Sequence, residues 1–171
     1  AKEAFAAIPG LAAKGRVNPF VLVISDNDTK LSGRITKDAF SMSPTFAAMA
    51  ALGWNIIAVA KGHDLPAVYD ALERGIAQAK ANPRQPVCLL VKTVKGYGIK
   101  ATEENSAGGH GFPLANGEKI IDWVNELYGG QPPEEFLGWA KSLRADWEKK
   151  EAEKKAKAAA APAPSAGVVK T

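Results

Sequence analysis

The sequence predicts an α/β fold: a parallel sheet with helices on both faces, followed by a C-terminal helix and linker. Three observations predict it. The runs Phe20–Ser25, Asn55–Ala60 and Val87–Val94 are apolar almost throughout instead of alternating, the pattern of strands covered on both sides. Helix-prone segments separate them, giving strand, helix, strand, helix, strand. Each run ends in a polar, turn-rich stretch, and a shared strand direction gathers these stretches at one edge, where open parallel sheets bind ligands.

Taken in order, residues 2–14 (KEAFAAIPGLAAK) are alanine-rich and helix-prone, with Pro9-Gly10 expected to interrupt them. Asn18-Pro19 leads into the first strand, and residues 28–37 read as a polar loop. Asp38–Leu52 reads as a helix broken near Ser43-Pro44 and ended by Gly53. Asp64 is a good N-cap for a helix over Leu65–Ala81, with Pro66 tolerated in its first turn. Val68, Leu72, Ile76 and Ala79 give that helix an apolar face, and Asn82-Pro83 stops it.

Beyond the third strand, Gly96 to Gly117 reads as a glycine-rich loop. A short helix over Glu118–Tyr128 ends at Gly129-Gly130. Pro132-Pro133 opens another, with Phe136, Trp139, Ala140, Leu143 and Trp147 on one face. It continues into EKKEAEKKAKAAAA, which has almost no apolar face and reads as a solvated helix. The expected organisation is a sheet-bearing part at 1–130, a linker helix at 131–160 and a flexible tail at 161–171. Three strands fall short of the usual five or so, so the sheet is expected to be part of a larger domain.

Composition narrows the function classes. The chain has 171 residues, 46% of them apolar, and a net charge of +4 with a pI near 9.1. Lysine and glutamate are interleaved rather than gathered into one basic patch, which argues against nucleic acid. The single cysteine, Cys88 in VCLLV, is expected to fill the core. No apolar stretch reaches the length of a membrane span. The N-terminus lacks the pattern of a signal peptide, so a soluble cytoplasmic protein is the expectation.

The strand ends hold the candidate chemistry. The first ends in Asp26-Asn27-Asp28, the second runs into Lys61-Gly62-His63-Asp64, and the third into Lys95-Gly96-Tyr97-Gly98. Farther on comes Gly108-Gly109-His110-Gly111. A calcium loop starting at Asp26 fails, because Lys30, Leu31 and Lys37 occupy its fifth, sixth and twelfth positions. Two readings stay open for the triplet: an Asx-turn that ends a strand, or a magnesium site that uses few protein oxygens and completes its shell with phosphate and water. His63, before an N-capping aspartate, suits a structural role. His110, flanked by glycines that let backbone approach a ligand, suits acid–base or oxyanion chemistry, or an idle surface loop. Lys92, Lys95 and Lys100 face either an anion or water.

Five segments, VLVISDNDTKLSG, ALGWNIIAVAKGHD, LPAVYDALERGIAQAK, PVCLLVKTVKGYGIK and GGHGFPL, together span roughly residues 17–115. In this order they resemble the thiamine diphosphate-binding domain of transketolase-like enzymes. Deoxyxylulose-phosphate synthases and ketoacid dehydrogenases share the fold but match GHD and GGHGFPL less well. The resemblance implies transfer of a two-carbon ketol unit between sugar phosphates, with thiamine diphosphate and magnesium as cofactors. By that resemblance Asn27 binds magnesium through its side chain and Thr29 through its carbonyl. Gly109 and His110 lie at the cofactor, with His110 moving protons, and His63 is peripheral.

Several departures matter. The family's Gly-Asp-Gly motif, whose aspartate is the main magnesium ligand, has no counterpart here, nor has the pyrimidine-binding domain with its activating glutamate. Lys61 stands where an acid is usual before GHD, and Asp28 where glycine or asparagine is common. The expectation is therefore the C-terminal part of a diphosphate-binding domain, inactive alone and without bound cofactors. It would need a pyrimidine-binding domain and a second subunit. A split enzyme and a non-catalytic module that has lost the cofactor are the rival expectations.

Overall fold

β1 (Val21–Asp26), β4 (Asn55–Val59) and β5 (Val87–Lys92) form one parallel sheet in the order β1-β5-β4. The computed structural model describes residues 2–31, 33–104 and 117–160. β5 sits in the middle, pairing Val87 to Lys92 with Val21 to Asp26 on one side and Val87 to Val91 with Asn55 to Val59 on the other.

The chain crosses from β1 past the place of β5 to β4, then steps back. Two parallel crossovers of opposite direction and the same right hand lie on opposite faces of a sheet, and two separate cores result. On one face α4 (Leu65–Ala81) lays Ala71 and Ala79 against Ile57, Val59, Val87, Leu89 and Val91. On the other, Met49 of α3 (Ser43–Ala51) packs with Trp54 and Cys88, joined by Phe5 and Ile8 of α1 (Lys2–Ala13). Leu22 and Ile24 of β1 also join this second core. The apolar strands predicted this double cover.

Small residues set the distance between α4 and the sheet. A Cβ at Gly75 would lie 2.8 Å from Leu89 Cδ1, so only glycine lets the helix come this close. The buried stripe of α4 is therefore Ala71, Gly75 and Ala79, flanked by Val68 and Leu72. Ile76, expected in that stripe, is 42% exposed: close packing selects the row of smallest side chains over the row of largest. Asp64 caps the helix as expected, accepting the Ala67 amide at 3.3 Å.

Five other local expectations change. α1 runs unbroken through Pro9; Pro9 rests against Gly53, where a Cβ would be 3.1 Å away. Ser43-Pro44 opens α3 instead of breaking a longer helix, as proline in a first turn lacks only an N–H that has no helical partner. Residues 28–37 contain a small antiparallel pair, β2 (Thr29–Lys30) with β3 (Gly33–Arg34), and the helical turn α2 (Ile35–Asp38). The glycine-rich stretch after β5 contains a further helix, α5 (Lys100–Glu104). β1 is also less covered than its composition suggests: it is an edge strand among the described residues, and Val23 is 53% exposed.

The chain divides into two compact units, Ala1–His110 and Gly111–Thr171. In the second, α6 (Ile120–Leu127) packs on α7 (Glu134–Ala160), with Val124 and Ala140 buried. Tyr128 stacks on Phe136 at 5.6 Å, and the Arg144 guanidinium lies 4.9 Å from the Trp147 ring centre. Of the apolar face expected on α7, Ala140 is fully buried while Trp139 remains 52% exposed. Among the described residues no helix is long and apolar enough to cross a membrane.

Candidate functional site

The carboxyl ends of β1, β4 and β5 do converge, and hydrogen bonds lock them together. The Thr93 amide donates to the Asp26 carbonyl at 3.2 Å, and the Gly62 amide donates to the Lys92 carbonyl at 2.9 Å. The hydroxyls of Ser25 and Thr93 are 2.6 Å apart. The backbone leaving β5 thus touches both of its neighbours as it leaves the sheet.

Asp26-Asn27-Asp28 divides its oxygens among three tasks. Asp26 Oδ2 pairs with Lys92 Nζ at 3.1 Å. Both groups reach solvent, so this pair is worth little more than its geometry. Asn27 makes a tight turn: its Oδ1 accepts the Thr29 amide at 2.9 Å, and its carbonyl accepts the Thr29 hydroxyl at 3.0 Å. Asp28 adopts the left-handed conformation, φ +54°. Its carboxylate accepts the Thr36 hydroxyl at 2.6 Å and the Thr36 amide at 2.9 Å, anchoring α2. These bonds hold its carboxyl below the ordinary value of 3.8. The triplet is therefore an ion pair, an Asx-turn and a helix anchor, and Asn27 is the member whose amide stands at the turn itself.

A carbonyl oxygen has two lone pairs, so Asn27 Oδ1 retains one after accepting the Thr29 amide. Among the described residues no cluster of three His, Cys, Asp or Glu groups exists that would hold a metal. The oxygens of Asn27 and Thr29 are of the hard type that suits magnesium, but two neutral donors are too few to hold it alone.

The His63 loop is built around two close approaches. A Cβ on Gly62 would run into the Lys92 carbonyl oxygen and lie 2.7 Å from Thr93 Cγ2. His63 then reaches across, its Nε2 accepting the Val94 amide at 2.8 Å, and its ring stacks on Tyr97 at 3.8 Å and 5°. Such acceptance requires an unprotonated Nε2, which makes His63 a strut between two loops, as its position before the N-cap suggested. A hollow of about 400 Å³ opens here, lined among others by Lys61, His63, Lys92, Thr93 and Tyr97. Asn27 does not line it; β5 stands between.

The glycines of Lys95-Gly96-Tyr97-Gly98 serve turns. Gly96 and Gly98 have φ of +79° and +99°. The Gly98 amide donates to Glu103 Oε1 at 2.7 Å, and the Thr102 hydroxyl lies 2.5 Å from the Gly96 carbonyl, so α5 is stapled to this loop. Lys100 pairs with Glu104 at 3.8 Å along the helix. Cys88 is buried at the centre of the sheet, and burial pushes its thiol up to about 11. Gly109 and His110 lie outside the described residues. Arg34, which no sequence motif marked, enters the site through space. It donates from Nη1 to Thr29 Oγ1 at 3.1 Å and from Nη2 to the Glu103 carbonyl at 2.7 Å.

A parallel sheet with helices on both faces and polar loops gathered at its carboxyl edge defines a ligand-binding α/β domain of the open-sheet class. Residues 4–163 match the family model described as transketolase, thiamine diphosphate binding domain, and the chain belongs to that family. It is 32% identical over 125 residues to a Staphylococcus epidermidis transketolase, a match covering 73% of this chain and 17% of the relative. To Vibrio cholerae transketolase 1 it is 29% identical over 137 residues, covering 74% and 17%.

Solved structures agree on the fold. An arginine-to-leucine variant of Pichia stipitis transketolase, in complex with fructose 6-phosphate, superposes with a TM-score of 0.52 at 17% identity over 86% of this chain and 21% of that one. A second such variant gives 0.52 at 19% identity, over 91% and 23%. The chain thus spans about a fifth of the length of the proteins it resembles.

Proposed function

We propose that the chain supplies part of a cofactor site for ketol transfer between sugar phosphates, working with a pyrimidine-binding domain and a second subunit that complete it. The observation that carries this is the Asn27 turn, built at the carboxyl end of β1 within a family that binds thiamine diphosphate. Bound thiamine diphosphate supplies a carbon nucleophile that can hold a two-carbon unit. Asn27 Oδ1 and the Thr29 carbonyl would take two positions on a magnesium ion, the diphosphate and water taking others. A carboxylate is still needed to complete the protein's share. Gly109 would let backbone approach the cofactor, and His110 would give and take protons at the substrate. The location would be the cytoplasm, in pentose phosphate metabolism.

With so few metal donors among the described residues, the chain should not catalyse alone. The test is to isolate it from the cells that make it, with whatever polypeptides accompany it, and assay ketol transfer with and without thiamine diphosphate and magnesium. Activity confined to the complex, dependent on both, and abolished by Asn27→Ala is expected. A complex that transfers ketol units equally well with no thiamine diphosphate, or that does not bind it, would overturn the reading.

A further inference from the structure

The Asn27 turn and α5 are joined through the Arg34 side chain, and we infer that Arg34 is the positioning residue that holds the Asn27 turn in register with α5 and the loop after β5. The inference rests on the reading of the Asn27 turn as part of the cofactor site.

Arg34 lies on β3, directly across from Thr29 in the antiparallel pair. Its guanidinium donates to Thr29 Oγ1 at 3.1 Å and to the Glu103 carbonyl at 2.7 Å. Each acceptor leads onward. The Thr29 hydroxyl donates to the Asn27 carbonyl and the Thr29 amide to Asn27 Oδ1, so the placement of the Asn27 amide follows that of Thr29. Glu103 lies in the last turn of α5, where carbonyls lack helical partners. The Glu103 side chain meanwhile holds the Gly98 amide at 2.7 Å.

The rigid fork of a guanidinium suits this task. It presents several donors at fixed angles and stays charged, whereas a lysine ammonium is a point charge on a flexible stem. Hydrogen bonds from a charged donor are the stronger kind, and Arg34 is half-buried, which limits competition from water. One residue therefore links a loop near position 29 to a helix near position 103, with no covalent neighbour in common.

The test uses the full chain with Arg34→Met, Arg34→Lys and Thr29→Val. Amide hydrogen exchange is followed at Thr29 and Gly98, with Leu89 in the central strand as the internal standard. Arg34→Met should speed exchange at both Thr29 and Gly98 by about tenfold or more, the scale of losing a charge-assisted hydrogen bond, and leave Leu89 unchanged. Thr29→Val, which removes the acceptor on one side only, should still speed exchange at Gly98. Arg34→Lys should not restore both.

The functional readout is binding of Mn²⁺ with thiamine diphosphate by the chain in complex with the polypeptides that accompany it in the cell, followed by electron paramagnetic resonance. Arg34→Met should weaken it about tenfold while the urea midpoint holds. Unchanged Gly98 exchange in both Arg34→Met and Thr29→Val overturns the inference. If the wild-type complex binds no Mn²⁺ with thiamine diphosphate, the cofactor reading fails, and the exchange rates alone decide whether Arg34 is the strut.

Discussion

His63 Nε2 accepts the backbone amide of Val94 across 2.8 Å, joining the loop after β4 to the loop after β5. The ring also covers Tyr97 in a parallel stack. Replacing His63 with alanine removes both contacts. Because the bond is exposed, water can take over the amide, and the expected cost is only about 1 kcal/mol. Urea unfolding measures this, and faster exchange of the Val94 amide locates it. A loss above about 3 kcal/mol would mean that the loop carries more of the fold than this geometry implies.

Gly62 should tolerate no side chain. A Cβ there meets the Lys92 carbonyl, a backbone atom that cannot rotate away. Gly62→Ala is therefore expected to displace the loop, break the Gly62 to Lys92 hydrogen bond and cost about 1–3 kcal/mol, the usual range for overpacking. Thermal unfolding gives the size, and amide shifts confined to residues around 62 and 92 would show the place.

Gly75→Ala tests which of two opposed effects wins. In an exposed helix, alanine in place of glycine stabilises by about 1 kcal/mol. Here the new methyl would sit 2.8 Å from Leu89 Cδ1, and Leu89 is completely buried among the core side chains of this face. Overpacking of about 1–3 kcal/mol outweighs the helix gain, so the variant should be less stable than the parent. A rise in unfolding midpoint would show that α4 can shift outward freely.

Acid should loosen the Asp28 anchor before it unfolds the sheet. The Thr36 hydroxyl, then its amide, hold the Asp28 carboxyl below its ordinary 3.8. A carboxyl depressed in the folded state stabilises above its unfolded value, and that contribution fades as pH falls through the folded value. Below about pH 3.8 the Thr36 contacts should therefore weaken. Asp28→Asn keeps a residue that tolerates positive φ but does not titrate, so it should lack this acid step when Thr36 is followed by NMR.

Cys88 should stay silent to thiol reagents in the folded chain. It is buried in the central strand, and its thiol is raised to about 11, leaving almost no thiolate at neutral pH. Reaction should follow global unfolding, so its rate should climb with urea in step with the loss of helix signal. Prompt reaction in native buffer would mean that the sheet opens locally.

Much of the site was legible because it is local. The Asx-turn at Asn27 and the cap at Asp64 each join residues two or three apart, and side-chain chemistry at that range is readable from spacing. The structural role of His63 was suggested by its place before a cap, but its partner, 31 residues away, was not. Nothing in the text around Arg34 distinguishes it from a loop arginine. Its partners lie 5 and 69 residues off, and only the folded chain brings the second within reach.

The sequence by itself determined the class of fold, the three strands, the capped helix from Leu65 and the family, because hydrophobic runs and turn residues act over short range. Tertiary structure decided the order β1-β5-β4, the choice of the Ala71-Gly75-Ala79 row over the row with Ile76, the continuity of α1 through Pro9, and the bridge from Thr29 through Arg34 to Glu103. The physical reason is common to all four. Each turns on how closely two distant surfaces can approach, and interiors packed to crystal density settle that by volume and contact, which no local pattern encodes.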